Sequence, residues 1–196
     1  MRKIVTFDRV SADGYFAARD GSLEWVVQDP ELDQSVMSGP GNIDTFLLGR
    51  RTYELLEAFW RYVPPEASAK APHGGGEMSE DHRKMETGLN QMGKIVFSRT
   101  LKEVSWQNAR IDRDLDPDAI AAMKQQPGKD MLILGSGSIV SQLTKHRLID
   151  EYQIVISPTF LGSGLPLISN VSNVKLDLVE TKRFPTGNVM LRYTPR

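Results

Sequence analysis

Four apolar residues, Met131 to Leu134, run into Gly135-Ser136-Gly137-Ser138 and then into Ile139, Val140 and Leu143. The run reads as a buried strand, and the spacing after it reads as a helix. The turn between them is made of small residues. Such a turn lets a ligand approach the backbone, and the helix start presents unpaired N–H groups to an anion. Two readings are open at this point. The turn holds the diphosphate of a nucleotide, or it is a tight strand-to-helix connection with no ligand.

The same alternation runs through the rest of the chain. Lys3 to Phe7 is rich in β-formers and continues through Val10 to a turn at Ala12-Asp13-Gly14. A second Asp-Gly pair, Asp20-Gly21, folds this loop back on itself. Asp29-Pro30 starts a helix, with Asp29 as cap, Pro30 in the first turn and Leu32 and Val36 inward. Ile43 to Leu48 is a second strand. A helix follows from Arg50, with Tyr53, Leu55, Leu56, Phe59 and Trp60 on its apolar side, and Pro64-Pro65 ends it. Residues 64–78 hold Ala, Ser, Pro and Gly74-Gly75-Gly76 and form an exposed loop, either a lid or an insertion. Ser79 caps a helix from Glu80. Lys94 to Phe97 is the third strand, with a weaker one near Asn108 to Ile111, and Asp116-Pro117 starts another helix. Tyr152 to Ile156 is a strand. Leu176 to Val179 and Val189 to Tyr193 flank the turn Pro185-Thr186-Gly187 as a hairpin. The order predicts a single domain over 1–196. Its fold class is α/β: a mostly parallel mixed sheet flanked by helices, with an antiparallel C-terminal hairpin.

Composition narrows the function classes. Lys and Arg number 24 against 25 Asp and Glu, so charge gives no support for nucleic-acid or anionic-membrane binding. There is no cysteine, hence no disulfide and no thiolate nucleophile or metal site. No apolar signal core and no stretch of membrane-spanning length is present, so a cytoplasmic protein is expected. His73, His82 and His146 show no ligand spacing with carboxylates, and no metal is expected. No serine stands in a nucleophile-elbow sequence.

In α/β sheets ligands sit beyond the carboxyl ends of the strands, and three strand exits here carry unusual chemistry. The first is Gly49-Arg50-Arg51-Thr52, at a helix start. Glycine permits close approach, and the guanidiniums are forked donors suited to phosphate. Arginine is disfavoured at a helix N-terminus unless an anion is nearby. The alternative is a solvated Arg pair. The second exit, Ser98-Arg99-Thr100, suits a 2′-phosphate or a ribose, or is a polar turn with Thr100 as a local cap. The third is Gly135 to Ser138. It lies late in the chain and does not complete G-x-G-x-x-G, since position 140 is Val140, so the simple doubly wound fingerprint is rejected.

These exits, in this order, resemble the dihydrofolate-reductase-like fold. Within it the chain is similar to the reductase domain of bacterial riboflavin biosynthesis and its single-domain relatives. The resembling segments are Val10-Ser-Ala-Asp-Gly14, Leu48-Gly-Arg-Arg-Thr-Tyr-Glu54, Val96-Phe-Ser-Arg-Thr-Leu101, Leu132-Ile-Leu-Gly-Ser-Gly-Ser138, Leu148-Ile-Asp-Glu151 and Pro158-Thr-Phe-Leu-Gly-Ser-Gly164. The resemblance implies an NADPH-dependent reductase acting on a small heterocyclic, pterin- or pyrimidine-like substrate. It implies Arg50, Arg51 and Thr52 at cofactor phosphates, Ser98 and Arg99 around the 2′-phosphate, and Gly135, Ser136, Gly137 and Ser138 at the diphosphate. Asp13-Gly14 resembles the loop that closes over the nicotinamide. A homodimer is implied, with the C-terminal hairpin as a contact region. Dihydrofolate reductases hold a cis Gly-Gly bond in the glycine turn, whereas the second residue here is Ser136.

Folate reductases also carry an acidic residue on the first helix. The nearest acids here are Glu24, Asp29 and Asp33, and Asp29 is equally a helix cap. Trp25, Phe59 and Trp60 line an aromatic substrate pocket or belong to the core. A non-catalytic nucleotide-binding or sensing module of the same fold is the rival expectation, and a ligand-free structural dimer is a further one.

Overall fold

Successive side chains on a strand point to opposite faces, and the central strands here feed two separate cores. β1 (Ile4–Ser11) sends Ile4 and Val10 to one apolar cluster and Val5 and Phe7 to the other. β3 (Ile43–Gly49) sends Leu47 to the first and Phe46 and Leu48 to the second. β6 (Asp130–Leu134) splits Met131 and Ile133 from Leu132 in the same way. A sheet built from such strands must be covered on both faces, which is why these strands read as unbroken apolar runs.

The computed structural model describes residues 1–29, 31–32, 42–61 and 80–196; of Phe59 and residues 80–85 only the backbone is described. The remaining strands of the main sheet are β4 (Gly93–Phe97), β5 (Ala109–Asp112), β7 (Glu151–Ser157), β9 (Leu176–Arg183) and β10 (Val189–Pro195). The eight-stranded sheet has the order β5-β4-β3-β6-β1-β7-β10-β9. From β5 to β7 every pairing is parallel. β10 joins β7 and β9 antiparallel, which is the expected hairpin at the sheet edge. The α/β class with a mostly parallel mixed sheet is therefore what the chain adopts.

The helices whose full extent lies among the described residues are α1 (Arg50–Trp60), α2 (Glu80–Gln91), α3 (Pro117–Gln125) and α4 (Gly137–Lys145). Ile120 of α3 and Ile139, Val140 and Leu143 of α4 close the first core. Tyr53 of α1 and Leu89 of α2 close the second. Each fully buried aliphatic or aromatic side chain stabilises the fold by about 1.5–3 kcal/mol.

A small second sheet is not evident in the sequence. β2 (Tyr15–Ala17) pairs antiparallel with β8 (Leu165–Pro166). Strands of three and two residues are too short to show a period. Only Glu31 and Leu32 are described in the helix expected after Asp29, and the 64–78 loop lies outside the described residues. No described helix is long and apolar enough to cross a membrane.

Candidate functional site

β4, β3 and β6 are consecutive in the sheet, so the three marked exits lie side by side. Two of them, those of β3 and β6, lead into helices that begin without the usual caps. α1 starts after Gly49, which has no side chain, and has no acidic residue in its first turn. α4 starts after Ser136, whose side chain makes no cap bond, and again no acid stands in the first turn. α3 shows the ordinary arrangement, in which Asp116 accepts the Asp118 amide at 3.0 Å. Two neighbouring helix starts that lack both caps and acids form a region of positive potential suited to an anion.

The Ser136 hydroxyl is spent elsewhere. It accepts the Gly49 amide at 2.8 Å and bonds Thr52 Oγ1 at 2.7 Å. It thereby ties the first exit to the third. Ser136 has a φ of 63°, in the left-handed region, and Gly135 before it has 58°. A non-glycine residue there costs about 1–2 kcal/mol, which the two side-chain bonds offset. The Gly135–Ser136 peptide bond is trans, like every other described one. Gly137 is the next constraint: an added Cβ would lie 2.8 Å from Phe16 Cε1 and 3.0 Å from the Leu167 carbonyl oxygen. The small β2–β8 sheet thus packs directly on the turn.

An open cleft of about 360 Å³ runs over these exits. Gly49, Arg50, Ser98, Arg99 and Ser138 line it together, so residues from all three exits share one space. Arg50 Nε donates to Glu54 at 2.7 Å and its Nη1 to Thr100 Oγ1 at 3.0 Å, which joins the first exit to the second. Ser98, not Thr100, is the local cap: its hydroxyl accepts the Leu101 amide at 3.0 Å. Arg51 is not among the cleft residues; its Nη1 lies 3.6 Å from where a Gly21 Cβ would stand.

Arg113 and Asp114 also line the cleft, and neither was expected from the sequence. Arg113 Nη1 donates to the Leu101 carbonyl at 2.6 Å and the Ser98 carbonyl at 3.1 Å, bracing the second exit. Asp114 accepts Arg99 Nε at 2.8 Å. The only signal for them was the charged run Asp112-Arg113-Asp114 after a weak strand.

A family model, the RibD C-terminal domain, matches residues 2–190. The chain belongs to the RibD C-terminal domain family. The uncharacterized protein YyaP of Bacillus subtilis (strain 168) is 28% identical over 193 residues, covering 98% of this chain and 94% of that one. A candidate riboflavin biosynthesis protein of Shewanella sp. PV-4 superposes with a TM-score of 0.72 at 22% identity, over 100% of this chain and 99% of the other. Dihydrofolate reductase from Enterococcus faecalis, complexed with NADP(H), superposes with a TM-score of 0.63 at 13% identity, over 99% and 96%. Both likenesses show the fold.

At the other end of this RibD C-terminal domain the expected residues are largely committed. Asp13 accepts the Leu161 amide at 3.1 Å and the Gly162 amide at 2.7 Å, pinning the Gly14 turn to the loop after β7. The Ser11 hydroxyl donates to Asp13 at 2.6 Å, and this bond leads the lowering of its pKa. Asp29 is the helix cap: Oδ1 accepts the Leu32 amide at 3.0 Å, and Oδ2 accepts the Thr186 hydroxyl. The Thr186 bond above all lowers its pKa, so Asp29 holds no proton to give at neutral pH. Glu24 is exposed, and Asp33 lies outside the described residues. Trp60 packs against the second core, Trp25 is half-buried, and the Phe59 side chain is not described.

One buried acid escaped the sequence reading. Asp8 on β1 is 2% exposed, and burial pushes its pKa up to about 7. The Thr6 hydroxyl and the Gly135 amide act in the opposite direction and do not cancel the effect. A lone Asp in a run of β-formers gave no pattern to read.

Proposed function

We propose that the chain is an NADPH-dependent reductase, an oxidoreductase that passes a hydride to a C=N or C=O bond of a small heterocyclic, pterin- or pyrimidine-like substrate. One observation carries this reading. The Ser136 hydroxyl locks Gly49 and Thr52 to the glycine turn, so two uncapped helix starts face one cleft that three guanidiniums also line. A dinucleotide has a diphosphate for the helix starts and a further phosphate for Arg99. The family and the NADP(H)-bound reductase of the same fold support the same chemistry.

The residues fit the group. Gly49 leaves no side chain between the cleft and the Ser136 hydroxyl, and Ser138 is exposed at the start of α4. Arg50 and the α1 and α4 amides hold the diphosphate, with Gly135 forming the turn and Gly137 letting the β2–β8 sheet pack behind it. Arg99 and Arg113 meet the adenosine end. When bound, the dihydronicotinamide supplies the hydride. The chain's own contribution is orientation and exclusion of water. With both Asp29 oxygens engaged, the product's proton comes from ordered water or another acid.

The reading includes one domain in a reducing cytoplasm and a homodimer through the C-terminal hairpin. Leu178 and Val179 of the edge strand β9 are 55% and 51% exposed, which supports that contact. Sedimentation tests it, and a monomer at micromolar concentration would exclude it.

Asp29's engagement also favours the rival of a non-catalytic nucleotide-binding or sensing module. Thermal shift with NADPH and NADH tests binding, since a ligand of the native state must raise stability. Oxidation of NADPH against pterins, pyrimidine-ribityl compounds and quinones then separates enzyme from sensor. No shift at millimolar NADPH defeats both.

A further inference from the structure

Asp8 stands in β1 between Phe7 and Arg9, nearly sealed from solvent at 2% exposure. The Thr6 hydroxyl donates to its Oδ2. Its Oδ1 is buried and has no hydrogen-bond partner among the described residues. Native proteins rarely leave a buried acceptor in that condition. A donor that arrives with a ligand resolves it.

The register of the sheet says where that oxygen lies. β1 and β6 pair from Ile4–Met131 to Phe7–Leu134 and stop. β1 continues beside β7 as far as Ser11–Ser157. Asp8 is therefore the first residue of β1 past the end of β6. The glycine turn begins at that level, and the Gly135 amide acts on the Asp8 carboxyl. On β1 the Asp8 side chain shares the face of Ile4 and Val10, which pack with Ile139 and Val140 of α4. The carboxyl thus sits at the carboxyl-end opening between two parallel strands, beside the start of α4.

The order of the strands fixes which part of a dinucleotide reaches it. Arg99 and Arg113 mark the adenosine end at β4 and β5. Gly49 and Gly135 mark the diphosphate at β3 and β6. The next strand in the sheet is β1. A cofactor laid along this order brings its nicotinamide ring to β1, and the ring carries a carboxamide with two N–H donors.

We propose that Asp8 anchors the nicotinamide, its unengaged Oδ1 accepting an N–H of the carboxamide and so fixing which face of the ring meets the substrate. The inference rests on the cofactor reading above and adds a residue and an atom to it. Thr6 is the positioning residue, holding the carboxyl so that Oδ1 is the one left open. The carboxyl's pKa of about 7 means that the accepting form prevails at slightly alkaline pH.

Binding measured by calorimetry at about pH 8 tests this with three probes. They are NADP⁺, its analogue carrying acetylpyridine in place of nicotinamide, and 2′-phospho-ADP-ribose, which lacks the ring. Asp8→Ala is expected to weaken NADP⁺ by about tenfold to a hundredfold, the usual range for a hydrogen bond to a charged group. It should leave 2′-phospho-ADP-ribose within about twofold, which also shows that the variant is folded. The parent should prefer NADP⁺ to the acetylpyridine analogue, which has no N–H, and Asp8→Ala should lose that preference. Asp8→Asn keeps an acceptor of the same shape and should fall between. Equal losses of NADP⁺ and 2′-phospho-ADP-ribose would overturn the proposal, because Asp8 would then only brace the glycine turn. An unchanged preference against the analogue would overturn it as well. Failure of the parent to bind any of the three would instead defeat the cofactor reading itself.

Discussion

A Cβ placed on Gly49 would come within 2.8 Å of the Ser136 hydroxyl oxygen, the atom that joins β3 to the glycine turn. The backbone at Gly49 has φ −79° and would accept any residue, so this crowding alone favours glycine. Gly49→Ala should displace Ser136, break its bonds to Gly49 and Thr52, and weaken NADPH binding by about tenfold. Ser136→Gly removes the same bonds without a clash and should weaken binding similarly. The double variant should be no worse than Ser136→Gly, since both changes cut one link. Additive losses in calorimetry would show that the two residues act separately.

Arg99 and Asp114 form an exposed ion pair, 81% and 63% accessible, inside the cleft. Such pairs add little to stability. Asp114 would matter to a bound phosphate, because it competes for Arg99. Asp114→Asn should leave the melting temperature unchanged and tighten NADPH several-fold with little effect on NADH. Arg99→Ala should do the reverse, weakening NADPH more than NADH. Equal effects of either change on the two cofactors would remove this pair from 2′-phosphate recognition.

The Asp8 carboxyl has a folded pKa of about 7 against an ordinary 3.8. The folded state therefore holds this proton more tightly than the unfolded state does. The Asp8 contribution to stability is greatest below 3.8, falls as the pH rises, and is least above about 7. The full cost of the ionised form is at most about 4 kcal/mol. Asp8→Asn should melt higher than the parent at alkaline pH and lose the advantage toward pH 4. Parallel melting curves for the two proteins across that window would show that Asp8 is not perturbed as described.

Asp29 behaves with the opposite sign. Its pKa is lowered, chiefly by the Thr186 hydroxyl, so its stabilisation is present at neutral pH and is lost as the pH falls through the acidic range below 3.8. Thr186→Val and Asp29→Asn should both lower the melting temperature at neutral pH and both reduce its fall in acid. Unchanged turnover in Asp29→Asn would leave this residue as a cap alone.

The fold was legible where chemistry and period coincide. Met131 to Leu134 showed a strand because the sheet is buried on both faces, and Asp116-Pro117 showed a helix start because cap and proline are local devices. The first and third exits were legible because glycine is conspicuous before a helix start, and the second because an arginine flanked by two hydroxyls follows an apolar strand. Long-range partnerships were not. Nothing local says that Arg50 reaches Thr100, that Asp114 takes Arg99, or that Ser136 turns its hydroxyl toward Gly49. Asp8 was hidden for the same reason: its burial comes from strands that follow it by more than a hundred residues in sequence. The β2–β8 sheet escaped because strands of three and two residues are too short to repeat a period.

β1 has its sheet neighbours in β6 and β7, residues 130 to 157. A nascent chain can therefore pair neither edge of its first strand until β6 has left the ribosome, and fills the second edge only with β7. Pairings this distant in sequence are slow to form, and an apolar strand waiting for them is an exposed edge open to aggregation. Production of this protein should thus depend on chaperones that shield Ile4 to Val10 during synthesis. The cleft, whose floor needs β6 beside β3, cannot be complete before residue 134 has been made.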